Sequence, residues 1–405
     1  MNTDKRINIL FINDGSLNNP IILSQGLPLL KSISGSKFNP YFVSFEPRKS
    51  SAEVLNKLSG IRRQYEGKVT FITIQLKYKR FLPNWLIFFY EGITSVSKII
   101  KNKKIKILHA RSLFPAIIGW VTKLRFPDVK LLYDNRGVFI EEEIFKNHWR
   151  KESLKVKLFR YLEKRVIKKS NAVIVVSRAF KQYLIEKFEK YDANLNRKVQ
   201  VIPNRTLVSD RKESESYNID HRKENIVGVY SGSAASWQNI SELLQFINEC
   251  KKVFPDFLFK IVSYQIGEFK NIIKTKQNLI DKIELITADS TEVTHILSDC
   301  DFGVLLRENN LINRVSSPLK FAEYLAAGIP VVLSESVGDA KDIISKYNVG
   351  VIIKNNDYSS AVEELLRLLQ DSEISKRCFL TAKNELNLER SIDQYKNIYE
   401  NLNDE

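Results

Sequence analysis

The chain has 405 residues, 43% of them hydrophobic and 27% charged, which supports two folded domains and excludes a disordered, collagen-like or low-complexity chain. Three scattered cysteines (Cys250, Cys300, Cys378), no CxxC pair and only four histidines argue against a disulfide framework or a Cys/His zinc site. The charge is lopsided: residues 1–205 hold 40 Lys and Arg against 16 Asp and Glu, net +24, while residues 206–405 carry −8, so the first half faces something anionic, with nucleic acid, an anionic lipid surface and a phosphorylated substrate all open.

The first apolar run is six residues long, too short for a signal peptide, and no stretch approaches the ~18–20 apolar residues of a membrane span. The expectation is a cytoplasmic protein. Strand-length apolar runs follow at 7–12, 41–45, 69–74, 105–108, 130–133, 172–176 and 199–202, with helical periodicity between them, as at 154–169 and 178–188. Continuous β-branched runs separated by helices predict a parallel sheet covered on both faces. Residues 207–224 are polar and read as a linker. A second series places strands at 226–230, 257–262, 283–286, 302–306, 331–333 and 349–353, with helices at 240–253, 291–297, 359–369 and 392–402. The fold class is therefore α/β, two Rossmann-like doubly wound domains over residues 1–206 and 225–385 with a cleft between them. Ligands in such sheets bind beyond the carboxyl ends of the strands.

Residues 307–330 carry the most chemistry. Ser317 is a good N-cap, Pro318 suits the first helical position, and Gly328 with Pro330 suits the stop, so a helix is predicted over 318–327. Lys320 lies in its first turn and Arg314 just before it. A helix N-terminus carries roughly +0.5 charge and disfavours cations. The arrangement makes sense if a dianion sits there, held by helix amides and both cations; the plain alternative is that both side chains reach into water. Glu323 follows Lys320 on the same face, suited either to ribose hydroxyls or to an exposed ion pair with Lys320.

This segment resembles the nucleotide-sugar site of GT-B glycosyltransferases, family GT4-like (group 1), of the bacterial surface-polysaccharide type. The family pattern S-P-x-K-x-x-E-Y-x-A-x-G-x-P-V stands here as Ser317, Pro318, Lys320, Glu323, Tyr324, Ala326, Gly328, Pro330 and Val331. The resemblance implies that Glu323 takes the ribose hydroxyls and that Ser316, Ser317, Arg314 and Lys320 hold the diphosphate of a UDP- or GDP-sugar, which is a substrate, with no cofactor and no metal. Gly232 and Ser233 stand where the family has a glycine turn at the phosphates, and Arg307 ends its strand at the same edge. His109-Ala-Arg111-Ser112 and Asp134-Asn-Arg136-Gly137, with Glu142 behind, resemble signatures of a family subgroup and are assigned to the sugar and acceptor side. Residues 386–405 resemble the helix that returns to the first domain. The chain departs from its relatives in three places: residues 234–239 lack the usual cation pair, Arg136 stands where many relatives have His, and the first glycine loop keeps only Gly15 and Gly26.

The implied activity is retaining transfer of a sugar to a lipid-linked or oligosaccharide acceptor, with Arg307, Arg314, Lys320 and Arg136 meeting the charge that develops on the leaving group. Asp299-Cys300-Asp301 is a D-x-D, but it enters its strand from the wrong edge and reads as a loop cap. Base recognition is expected near Tyr264 and residues 287–289. The basic first half suggests peripheral attachment to the anionic inner face of the membrane. Lys77, Lys79 and Arg80 precede Phe81, Leu82, Trp85, Leu86, Phe88 and Phe89, and Lys98, Lys101, Lys103, Lys104 and Lys106 follow. A non-catalytic two-lobe binding protein for sugars or nucleotide sugars is the competing reading. Nucleic acid is not expected as a partner, since no RNP, helix-turn-helix or zinc motif occurs. A dehydrogenase is disfavoured because no GxGxxG follows a strand.

Overall fold

The computed structural model describes residues 6–35, 37–47, 51–77, 83–208, 225–234, 238–274, 277–288 and 290–404. The chain forms two units, Met1–Pro203 with Glu389–Glu405, and Asn204–Leu388. Almost all of the expected linker, 209–224, lies outside the described residues.

The first unit is built on seven parallel strands: β1 (Ile7–Ile12), β2 (Phe38–Pro47), β3 (Thr70–Leu76), β4 (Ile107–Arg111), β5 (Lys130–Asn135), β6 (Ala172–Val175) and β7 (Val199–Val201), in the order β3-β2-β1-β4-β5-β6-β7. Its helices are α1 (Leu27–Ile33), α2 (Ala52–Gln64), α3 (Asn84–Lys103), α4 (Leu113–Arg125), α5 (Phe139–Phe145), α6 (Leu154–Lys169), α7 (Arg178–Phe188) and the short α8 (Leu195–Lys198). Central strands such as β4 are buried along their whole length, as continuous apolar runs between two helical layers require. Between α3, α4, α5 and α6 lies an aromatic cluster in which Phe114 touches Phe88, Phe89, Phe139 and Phe159 at centroid distances of 5.0–5.9 Å.

That cluster takes part of the apolar set of residues 77–106 into the core. Phe88 and Phe89 are buried in the core, and Trp85 stands edge-on to Phe159 at 5.8 Å. Burying these rings among apolar partners keeps more surface from water than leaving them exposed. Of that apolar set Leu86 is exposed, as is the neighbouring Tyr90, while Lys79, Arg80, Phe81 and Leu82 lie outside the described residues.

The second unit has six parallel strands: β8 (Asn225–Ser231), β9 (Asp256–Val262), β10 (Ile283–Ile286), β11 (Phe302–Leu305), β12 (Val331–Ser334) and β13 (Gly350–Ile353), in the order β10-β9-β8-β11-β12-β13. Between and after them run α9 (Ile240–Val253), α10 (Ile266–Ile273), α11 (Ser290–Ser298), α12 (Leu311–Arg314), α13 (Leu319–Ala326), α14 (Ala340–Tyr347), α15 (Tyr358–Leu369) and α16 (Ile374–Glu385), and the chain closes with α17 (Leu388–Asp404). One apolar core joins Val229, Phe246, Phe259, Phe302, Leu325 and Val351 across both faces of this sheet. Asp301 does act structurally, since its carboxylate accepts the Val227 amide at 2.7 Å at the entry edge of β8.

Two expectations shift. β4 runs on to Arg111, so His109 and Arg111 lie inside a strand, in register with Phe11 of β1 and with Leu132 and Asp134 of β5. α13 begins at Leu319 with Pro318 in the cap position, because the Ser317 hydroxyl accepts the Asn204 amide at 3.0 Å instead of a helix amide.

Candidate active site

In the second unit the strand order reverses between β8 and β11, so the crevice offered to ligands lies beyond those two strand ends. β8 delivers Gly232 and Ser233 to that edge, and β11 delivers Arg307. Arg307 is fixed by its backbone: its amide donates to the Ser334 hydroxyl at 2.9 Å, and its carbonyl accepts the hydroxyls of Ser334 and Ser336, both at 3.0 Å. Its Nε is buried without a hydrogen-bond partner among the described residues.

Lys320 does not reach into water. Its ammonium lies 4.5 Å from the centre of the Tyr230 ring and 3.4 Å from the Tyr230 hydroxyl oxygen, which itself donates to the Ser233 carbonyl at 2.7 Å. Gly232, at φ +152, leaves the room: a Cβ there would stand 1.8 Å from Lys320 Nζ. Tyr324 braces the same strand end by accepting the Ser231 amide at 2.8 Å. Burial and the Arg307 charge push Lys320 well below the ordinary lysine range, opposed only by Glu323. Burial likewise lowers Arg307 and raises Glu323, the latter partly countered by Lys320. Two half-buried cations and one carboxylate, each with its charged form disfavoured by burial, thus meet at this edge.

The loop before α13 is stapled by Asn313, which is 1% exposed. Its side chain donates to the Glu308 carbonyl at 2.9 Å, and its own carbonyl receives the Ser316 hydroxyl at 2.8 Å and the amides of Ser316 and Gly338, both at 3.2 Å. Gly338, at φ +38, passes so close that a Cβ would stand 2.0 Å from the Ser316 carbonyl oxygen. The Ser316 amide and hydroxyl are therefore turned to the staple, and Ser317 is tied to Asn204 through both its hydroxyl and its carbonyl. Arg314 does not join the cluster. It is exposed at the end of α12, and the charges acting on Lys320 are those of Arg307 and Glu323. Tyr264 is 78% exposed, and Asp289 lies outside the described residues.

The first unit has its own reversal, between β1 and β4. Ser112, held at φ 78, donates its hydroxyl to Asp14 across it. Deeper in, Asp134 is fully buried and gathers partners: Arg136 Nε at 2.7 Å, His109 Nε2 at 3.2 Å, the Tyr395 hydroxyl at 3.2 Å and Arg111 at 3.6 Å. Burial alone would raise its pKa, but Arg136, His109 and Arg111 hold it well below the carboxylate range. Burial also keeps His109 neutral, its lowering outweighing the Asp134 contacts. With Nε2 donating to Asp134, His109 Nδ1 accepts the Tyr399 hydroxyl at 2.6 Å. Arg111 also donates to Gln25 at 2.9 Å, and Arg136 donates to the Ile202 carbonyl at 3.2 Å and to Tyr395. His109 and Asp134 thus have no free polar atom to offer a sugar. Glu142 stands apart, its carboxylate against Gly137 and its pKa raised by burial.

The sequence reading missed Tyr230, Asn313, Gly338, Tyr395 and Tyr399. The i, i+4 spacing of the two tyrosines on the last helix was a readable sign of one face; the other three declare themselves only through backbone geometry.

Comparison with known proteins agrees with this fold. Residues 210–385 match the family described as glycosyl transferases group 1, and residues 47–205 match glycosyltransferase family 4. An uncharacterised glycosyltransferase of Methanocaldococcus jannaschii is 23% identical over 299 residues, 71% of this chain and 72% of that protein. Among solved structures, a glycosyltransferase from Rickettsia africae superposes with a TM-score of 0.66 at 17% identity, covering 98% of this chain and 99% of the other. Anabaena HepE, solved in complex with UDP-glucose, gives 0.68 at 13% identity over 99% and 100%.

Proposed function

The chain belongs to the GT4-like glycosyltransferases of the GT-B fold, and on that premise we propose that it moves a sugar from a nucleotide-sugar donor, with retention, to a lipid-linked glycan acceptor in surface-polysaccharide synthesis. The observation that carries the donor reading is the pair Arg307 and Lys320, two half-buried cations at the switch point of the second sheet, with Glu323 the one carboxylate that acts on Lys320. A diphosphate supplies the further negative charge. Glu323, one turn along α13, takes the ribose hydroxyls, and Gly232 with Ser233 lets backbone approach the phosphates. HepE, which shares the fold, is solved with UDP-glucose, which supports a uridine or guanosine diphosphate sugar here.

Departure of the diphosphate leaves negative charge on its oxygens. Arg307 and Lys320 are held in advance by Ser334, Ser336 and Tyr230, so they stabilise that charge without reorganising and without a metal. Among the described residues no side chain at this edge is placed as a nucleophile, which supports same-face transfer assisted by the leaving diphosphate. In the first unit Arg136 and Arg111 face the acceptor side, while Asp134 and His109 act through them by fixing their guanidinium groups. Glu142 and Arg314 are kept as outer contacts to acceptor and diphosphate. A lipid-linked acceptor places the enzyme at the inner membrane face, and the +24 of residues 1–205 supports that location. The test is a transfer and hydrolysis assay over UDP- and GDP-sugars, with product configuration read by proton NMR. Turnover of one donor with retention is expected; binding of a donor without turnover or hydrolysis would favour the non-catalytic reading.

A further inference from the structure

The outer face of α6 carries an apolar stripe left exposed among the described residues. Leu154, Leu158 and Tyr161 are 82%, 42% and 50% exposed, and their spacing of i, i+4, i+7 sets them on one line of the helix. The buried face, Val156, Phe159, Val166 and Ile167, points the other way. The stripe runs on into Arg165, Lys168 and Lys169, with Lys157 and Lys164 along one flank and Lys155 on the other. The helix's one acid, Glu163, is buried and paired with Lys187 at 3.0 Å, so the exposed face has cations and no carboxylate. Lys164 lies 3.2 Å over the ring of Tyr191, which is 38% exposed and extends the patch. Lys157, Lys168 and Lys169 have no carboxylate partner among the described residues.

We propose that this face of α6 docks on an anionic lipid surface, with Leu154, Leu158 and Tyr161 entering the headgroup boundary and the flanking lysines meeting lipid phosphates. Leucines in line with lysines on both sides, of which Lys155 and Lys164 lie over the rings of Trp149 and Tyr191, are the composition of a helix that lies in an interface plane, and each basic residue near an anionic leaflet adds to the attraction. A second copy is disfavoured because a two-fold contact would bring this like-charged face against itself. A protein partner is disfavoured because one helix edge with three apolar side chains falls short of the roughly 800 Å² per side that stable interfaces bury. The inference rests on the membrane part of the proposed function and places it on α6 instead of residues 77–106, where Phe88 and Phe89 are in the core.

The experiment is co-sedimentation of the full chain with phosphatidylcholine vesicles, with and without one-third phosphatidylglycerol, at low salt. Wild type is expected to bind the anionic vesicles and not the neutral ones. The triple variant Leu154→Ser, Leu158→Ser, Tyr161→Ser, and separately Lys157→Glu, Lys168→Glu, Lys169→Glu, are expected to bind at least tenfold less, with wild-type melting and unchanged UDP affinity. Variants that melt normally and bind as wild type does would overturn the α6 assignment and leave membrane attachment standing. Absence of wild-type binding would remove both, and so would equal binding to neutral vesicles. A change from dimer to monomer in the variants on gel filtration would assign the face to a second copy and overturn the proposal.

Discussion

The two sheets present the same topological feature, a reversal of strand order with residues gathered beyond it, and fill it in opposite ways. In the first unit Asp134 has four partners, and His109, Tyr395 and Arg136 are locked around it. In the second, Arg307 and Lys320 are half-buried cations: burial acts against both charges, and the Arg307 charge acts further against Lys320. The first arrangement is complete as it stands and serves stability and alignment. In the second, burial disfavours both charges, and in the proposed function an anionic ligand relieves that penalty.

Breaking each site should therefore give opposite phenotypes. The largest stability effect belongs to Asp134→Ala, which leaves Arg136 and Arg111 buried without their counter-charge and should cost about 3–5 kcal/mol, read by urea denaturation. Tyr395→Phe removes a hydroxyl bonded to Asp134 and Arg136 and should cost about 1–3 kcal/mol in the same assay. It should also lower turnover more than donor affinity if Arg136 serves the transfer step. Glu323→Ala should weaken donor binding about tenfold, or roughly 1.4 kcal/mol, with unchanged melting; equal affinity would count against the ribose contact.

The smallest effect is a pH slope. An anion bound at Lys320 raises its depressed pKa, so binding takes up a proton, and affinity must fall as pH rises between the free and bound values. Affinity for a nucleoside diphosphate should therefore decline as pH rises from the depressed value of the free lysine toward the higher value of the bound one, by at most roughly tenfold per unit. In Lys320→Arg, whose guanidinium keeps its proton, the slope should flatten.

Much of this contrast was written in local signals. Parallel strands follow from β-branched runs, and the α13 segment from Ser317, Pro318, Lys320 and Gly328. Partnership was harder to read. That His109 sits within β4 and reaches Tyr399, or that Asn313 ties Ser316 to Gly338, depends on residues far apart in sequence meeting through backbone geometry. The apolar set at residues 77–106 was ambiguous for a like reason, because α3 carries enough apolar residues to read as a surface helix while Phe88 and Phe89 close the core with Phe114 and Phe159.

The most direct test is calorimetric titration of UDP and GDP onto wild type and onto Lys320→Met, with melting curves of both. The charge-relief account predicts measurable binding of one nucleotide by wild type. In the variant that binding should weaken at least a hundredfold, about 2.7 kcal/mol, while the protein melts no lower than wild type, since a buried repulsion has been removed. Undiminished nucleotide affinity in a folded Lys320→Met protein would contradict it.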